Sequence, residues 1–373
     1  MSAPIEALPP GLANLADHEA AARARLDDKA WAYFSGAAGD GLTLRANRAA
    51  WDAIGLWPRG LRSLSGGHTR IELLGRTLAH PVLLAPVAYQ RLAHPDGELA
   101  SALAASAQQA GFILSTQSSV RLETVAQAIG ADPGRGPLWF QLYFQPDRGV
   151  TRDLVERAAH AGYEALVVTI DAAVSGARDA ERRAGFRLPP GVSAVNLPPA
   201  GAMAPAGASL FETSLAAAAP TWSDIEWLRG ISPLPIVLKG ILHPADARQA
   251  AALSLDALVV SNHGGRVLDA SPATAWALPR VADAVGGSLP LLVDGGIRRG
   301  TDVLKALALG ARAVLVGRPA VWGLANAGAA GVAHVIRLLR DELEIALALC
   351  GARTPAEVDS DMVIANASNS HLY

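Results

Sequence analysis

The chain has 373 residues, 51% of them hydrophobic and 18% charged, with a formal net charge of −2. That balance excludes a strongly basic surface for nucleic acid or an anionic membrane. A single cysteine, Cys350, rules out an internal disulfide and reads as a packed thiol.

The first thirty residues lack a basic segment followed by an apolar core, so the expectation is a cytoplasmic protein without a secretory signal. Residues 17–34 (DHEAAARARLDDKAWAYF) predict a helix. Residues 69–80 (TRIELLGRTLAH) predict a hairpin turning at Gly75. Residues 1–79 together read as an extension that packs on and caps the remainder of the chain.

From residue 80 a pattern repeats. Short apolar runs end in polar residues or glycine at 80–86, 111–117, 138–143, 165–171, 235–240, 257–263, 289–296 and 311–319. The segments between them carry helical periodicity, as in RDLVERAAHA and TDVLKALALG. Continuous apolar runs alternating with amphipathic helices predict a parallel sheet covered on both faces. Eight such units in a row predict an α/β fold closed as a (β/α)8 TIM barrel over 80–373, with C-terminal helices included. A doubly wound open sheet is the fallback. Residues 175–232, rich in Pro, Gly and Ala, come after the fourth run and predict a long lid on the face where barrel sites sit.

The tips of the runs carry the chemistry. They present Ala88, Ser115, Gln141, Tyr143, Thr169, Asp171, Lys239, Ser261, His263, Arg266, Asp294, Gly296, Gly317 and Arg318. His263 alone reads as a core histidine; with Asp171 on the same rim it reads as an oriented general base. Lys239 either neutralises an anionic group or, once desolvated, forms a Schiff base. Arg178 and Arg266 would grip one carboxylate bidentately, a solvated surface arginine being the plain alternative for each. LLVDGGIRRGTD and VLVGRPA place glycines between a strand and a helix start, which presents free N–H groups to a phosphate, with Arg298 or Arg318 adding charge. The nine histidines are scattered without metal-ligand spacing, so no metal is expected.

Taken together, SNHGGRVLD, DGGIRRGTDVLKALALGARAVLVGRP, LAPVAYQRLAHPDGE, WFQLY, LKG and YFSGAAGDGLTLRAN resemble the FMN-dependent α-hydroxy acid oxidases and dehydrogenases, a family that includes glycolate oxidase, lactate oxidase and mandelate dehydrogenase. The similarity covers about residues 20–360. It implies a (β/α)8 barrel, FMN as cofactor, and oxidation of an (S)-2-hydroxy acid to the 2-keto acid with O2 as acceptor. By the same resemblance His263 is the base and Asp171 its partner. Arg178 and Arg266 hold the substrate carboxylate, with Tyr33 and Tyr143 as further substrate contacts. Lys239 lies beside the flavin's carbonyl edge. Ala88, Ser115, Gln141, Thr169 and Ser261 fall near the ring and ribityl chain. Asp294, Gly296, Arg298, Gly317 and Arg318 fall near ribityl and phosphate. The family's habit of forming homotetramers extends to this chain as an expectation.

The sequence departs from the family at Val87, Tyr89 and Gln117, close to the expected flavin and substrate side chain. Other readings are a quinone- or cytochrome-linked dehydrogenase or a monooxygenase with the same flavin chemistry, and an aldolase or isomerase barrel using Lys239 as a Schiff base. A barrel that only binds a phosphorylated ligand has no use for Asp171 behind His263. The preferred side chain of the substrate, and the order in which the α-hydrogen and the hydroxyl proton leave, stay open.

Overall fold

The computed structural model describes residues 6–199, 209–212 and 219–365. Eight parallel strands close into a barrel: β1 (Val82–Leu84), β2 (Gly111–Ser115), β3 (Leu138–Leu142), β4 (Leu166–Thr169), β5 (Ile236–Ile241), β6 (Ala257–Val260), β7 (Leu291–Val293) and β8 (Ala313–Val316). β8 pairs with β1 to complete the ring. The open-sheet fallback is thereby excluded. Every residue of β1 through β4 is buried, as expected for strands covered on both faces.

Successive side chains alternate between two cores. Phe112, Leu114, Phe140 and Leu142 face outwards and pack in the larger cluster with the surrounding helices. Leu83, Ile113, Trp139, Val167, Val237, Val259, Leu292 and Leu315 fill the inside. The predicted hairpin forms from Ile71–Leu73 and Arg76–Leu78, turning through Leu74 and Gly75, both at positive φ. Its Ile71, Leu73 and Leu78 belong to the same interior cluster, so the hairpin stoppers one end of the barrel.

The helix predicted over 17–34 is two helices, α1 (Leu15–Arg25) and α2 (Asp28–Ser35). The break has a local cause. Asp27 is extended, and its carboxylate accepts from the Ala30 amide at 2.8 Å, starting a new helix. A third helix, α3 (Leu42–Ala53), leads into a short strand, Ile54–Leu56. That strand pairs antiparallel with Val363–Ala365, a long-range pairing that no local pattern announced. The C-terminal helix Arg318–Leu349 is interrupted at Ala327 and Gly328, whose backbone angles are not helical. Cys350 is buried at its end, as read from the sequence. In the stretch after β4, Asp179–Arg183 and Trp222–Ile231 are helices. Much of the Pro/Gly/Ala-rich middle assigned to a lid, 200–208 and 213–218, lies outside the described residues, as do 1–5 and 366–373. No helix among the described residues is long and apolar enough to cross a membrane.

Candidate active site

The alternation that fills the barrel also builds its rim. Two residues beyond interior Ile113 stands Ser115; beyond Trp139, Gln141; beyond Val167, Thr169; beyond Val237, Lys239; beyond Leu292, Asp294; beyond Leu315, Gly317. Side chains two apart share a face, so each polar tip stands above an apolar interior layer. Register aligns them, with Ser115 opposite Gln141 and Thr169 opposite Lys239. The result is a cavity at the C-terminal mouth of the barrel. Its wall holds Tyr33, Ala88, Ser115, Gln141, Tyr143, Thr169, Arg178, Lys239, His263 and Arg266. Asp294, Gly296, Arg298, Gly317 and Arg318 complete it, together with Val87 and Gln117, two of the departures from the family.

Two predicted residues stand behind this wall. Ser261, fully buried, accepts from Lys239 Nζ at 2.9 Å and from the His263 amide at 3.1 Å. Asp171 lies 2.8 Å from His263 Nδ1. Burial raises the Asp171 carboxyl, but His263 and then Lys239 outweigh it and hold the group below the usual carboxylate range. An ionised Asp171 can only accept, so Nδ1 carries a proton, and in the neutral tautomer this selects the lone pair falls on Nε2. The local backbone enforces the pairing. His263 sits at φ +56°, a conformation a histidine rarely adopts. Gly240, at φ +112° in an irregular step of β5, has no room for a side chain; a Cβ there would come within 2.7 Å of Asp171.

Lys239 is almost fully buried, and its Nζ lies 3.0 Å from Asp294 Oδ2. Burial depresses the ammonium, but Asp294 and Asp171 more than compensate, so Lys239 is held above the ordinary lysine value and stays charged. A charged ammonium held by a carboxylate at 3.0 Å disfavours the Schiff-base reading, which needs a neutral amine. Tyr33 and Tyr143 are pushed well above the usual phenol range by burial, so both are neutral hydroxyls. Tyr33 reaches the barrel from α2 and stacks on Phe186, with ring centroids 4.8 Å apart. Tyr89 approaches the same ring at 6.0 Å.

Several contributors carried no assignment in the sequence. The C-terminal carbonyls of α2 are shared between two arginines: Phe34 and Gly36 accept from both Arg266 and Arg318. Cations belong at this end of a helix. From α3, Trp51 Nε1 donates to the Gly295 carbonyl at 2.8 Å. Asn47 and Asn262 exchange amide hydrogen bonds of 2.9 and 2.8 Å. These contacts fix the glycine turn after β7; Gly296 lies at φ +88°, and a Cβ there would meet the Asn47 carbonyl at 2.7 Å. Asn47 and Trp51 stand four apart in a helical segment, the one signal that could have paired them.

The model of the FMN-dependent dehydrogenase family matches residues 22–365. The chain belongs to that family. Among similar proteins, an L-lactate oxidase from Nostoc is 48% identical over 94% of this chain and 97% of that relative. Glycolate oxidase 1 from Zea mays is 41% identical, covering 95% of this chain and 96% of its own. A crystal structure of mandelate oxidase with benzoyl-formic acid superposes with a TM-score of 0.85 at 42% identity, over 94% of this chain and 98% of that one.

FMN is the cofactor of this family, and the cavity fits it on two independent grounds. Gln141 Nε2, Thr169 Oγ1 and Asp294 Oδ1 are buried polar atoms with no partner among the described residues, and all three residues belong to the wall. Orphaned buried groups of this kind call for a polar ligand. At the other end, burial pushes Arg318 down to about 9, with Arg266 and Arg298 adding repulsion. Burial likewise pushes Arg298 down to about 10, outweighing Glu19. A guanidinium keeps its proton in proteins, so the shifts register buried positive charge without enough negative charge to match it. The phosphate of FMN is an anion that would match that charge.

Proposed function

We propose that this protein is an FMN-dependent oxidase of small L-2-hydroxy acids, which yields the 2-keto acid and passes the electrons to O2 to give H2O2. The observation that carries the reading is His263 on a cavity wall shared with Arg178, Arg266 and Lys239, with Asp171 behind it at 2.8 Å from Nδ1. Relatives named as oxidases of lactate and glycolate support O2 over a quinone or cytochrome as acceptor.

In this reading the substrate carboxylate lies between Arg178 and Arg266, and the phenols of Tyr33 and Tyr143 donate to carboxylate and hydroxyl. Bidentate holding fixes the α-carbon and turns the reaction into an effectively unimolecular one. His263 takes the departing proton on Nε2, and ionised Asp171 makes the imidazolium less costly. Bound FMN supplies the two-electron sink. Gln141, Thr169, Asp294 and Ser115 would hold its polar edges, Lys239 would face its negative charge, and Arg298, Arg318 and the Gly296 and Gly317 turns would hold its phosphate. Ala88 would supply backbone contacts, and Ser261 would act from behind by orienting Lys239.

A cytoplasmic homotetramer completes the proposal. Trp57, Leu61 and Leu64 leave apolar surface on one loop that suits burial against another copy, which light scattering on the purified protein would register. The activity is tested with Arg266→Ala. The variant should bind a carboxylate inhibitor about a hundredfold more weakly while keeping its flavin. Unchanged inhibitor binding would remove Arg266 from the site. Stoichiometric H2O2 and keto acid from the wild type decide the acceptor.

A further inference from the structure

Arg178 and Arg266 are like charges on one wall, and such a pair repels unless something lies between. Burial, then Arg178, push the Arg266 guanidinium below the ordinary arginine range. One carboxylate oxygen bridges the two. Glu181 Oε1 accepts from Arg178 Nη1 at 3.4 Å and from Arg266 Nη2 at 3.3 Å. The Glu181 side chain is only 15% exposed.

Glu181 is not part of the cavity wall that both arginines line. With Arg178 it lines a separate surface depression. It therefore grips the guanidiniums from behind and leaves other donors for the cavity. Arg178 Nε is one of these, buried with no partner among the described residues. The mount is firm. The Gly39 amide donates to the Ala177 carbonyl at 2.7 Å. A Cβ on Gly176 would come within 2.2 Å of the Val267 carbonyl oxygen, so the segment before Glu181 lies flat on the loop that carries Arg266.

Charge counting points the same way. Two guanidiniums and one carboxylate leave a single positive charge, which one substrate carboxylate neutralises.

We propose that Glu181 is a positioning residue that sets the spacing and orientation of Arg178 and Arg266 for a single substrate carboxylate. It neither touches the substrate nor moves a proton. The inference rests on the reading of the two arginines as the carboxylate grip, and its test separates the two.

The test compares wild-type holoenzyme with Glu181→Ala and Glu181→Gln, measuring flavin content and kinetics with L-lactate and with its methyl ester. Glu181→Ala should keep its flavin and lose about tenfold in selectivity for the acid over the ester, chiefly through KM for the acid. Glu181→Gln retains an oxygen in the same place and should lose only about threefold. A merely structural role would move acid and ester alike. Unchanged acid-over-ester selectivity in both variants overturns the inference. Should Glu181→Ala fail to fold, Glu181→Gln alone decides, and wild-type selectivity there overturns it. If the wild type neither turns over a 2-hydroxy acid nor binds a carboxylate competitor, the carboxylate grip itself is wrong and the positioning role falls with it.

Discussion

At one end of the barrel Trp139, Val167, Val237 and Leu292 meet the hairpin residues Ile71, Leu73 and Leu78 in a closed apolar cluster. Two residues further along the same strands come Gln141, Thr169, Lys239 and Asp294, three of them with a buried polar atom left unpaired among the described residues. One strand period thus separates a layer of apolar side chains from one that holds several unpaired polar atoms among the described residues. The stoppered end supplies stability, and the open end spends it on groups that only a ligand completes. Substitutions at the two ends should therefore fail differently.

The largest effect is expected at the open end. His263→Ala should lower kcat by about three to four powers of ten and leave the protein folded and yellow. Stopped-flow flavin reduction measures this directly, and near-normal reduction would show that another group accepts the proton. At the stoppered end, Trp139→Ala removes a large buried side chain and should cost about 3–5 kcal/mol of stability in denaturant titration, while any folded enzyme retains the wild-type flavin spectrum. A changed spectrum at full occupancy would mean the two ends are not separable.

A third expectation concerns a contact outside both ends. His18, fully buried in α1, lies 2.9 Å from His334 Nδ1 in the C-terminal helix. Burial, then His334, lower its pKa from 6.5 to about 4. The unfolded chain therefore binds a proton between those values that the folded chain refuses, so stability falls as pH drops from 6.5 to about 4. The loss reaches about 3 kcal/mol at most. His18→Gln should flatten that slope in pH-dependent melting, and an unaltered slope would assign the acid sensitivity elsewhere. The smallest effect belongs to Arg318→Ala, which should weaken FMN retention by about ten- to a hundredfold with the protein still folded. The ratio of flavin to protein absorbance after dialysis reads it.

The barrel was legible because its signal is local: each short apolar run and each helical stretch between could be read in place. The rim was legible for the same reason, since a strand's last side chains share the face of those two positions earlier. What escaped depends on contacts between distant segments. The α2 carbonyls clasped by Arg266 and Arg318, the Asn47–Asn262 pair, and Glu181 between its arginines join residues far apart in the chain. The split between α1 and α2 was local and still missed, because one capping carboxylate, Asp27, outweighs an otherwise continuous helical pattern.

The most direct test of the proposed chemistry is the absorption spectrum of the purified protein before and after anaerobic addition of L-lactate. The protein should be yellow, with a visible flavin band that bleaches within seconds in the wild type and stays unchanged over the same interval in His263→Ala. A colourless protein that binds no added FMN, or bleaching equally fast in both, would contradict it.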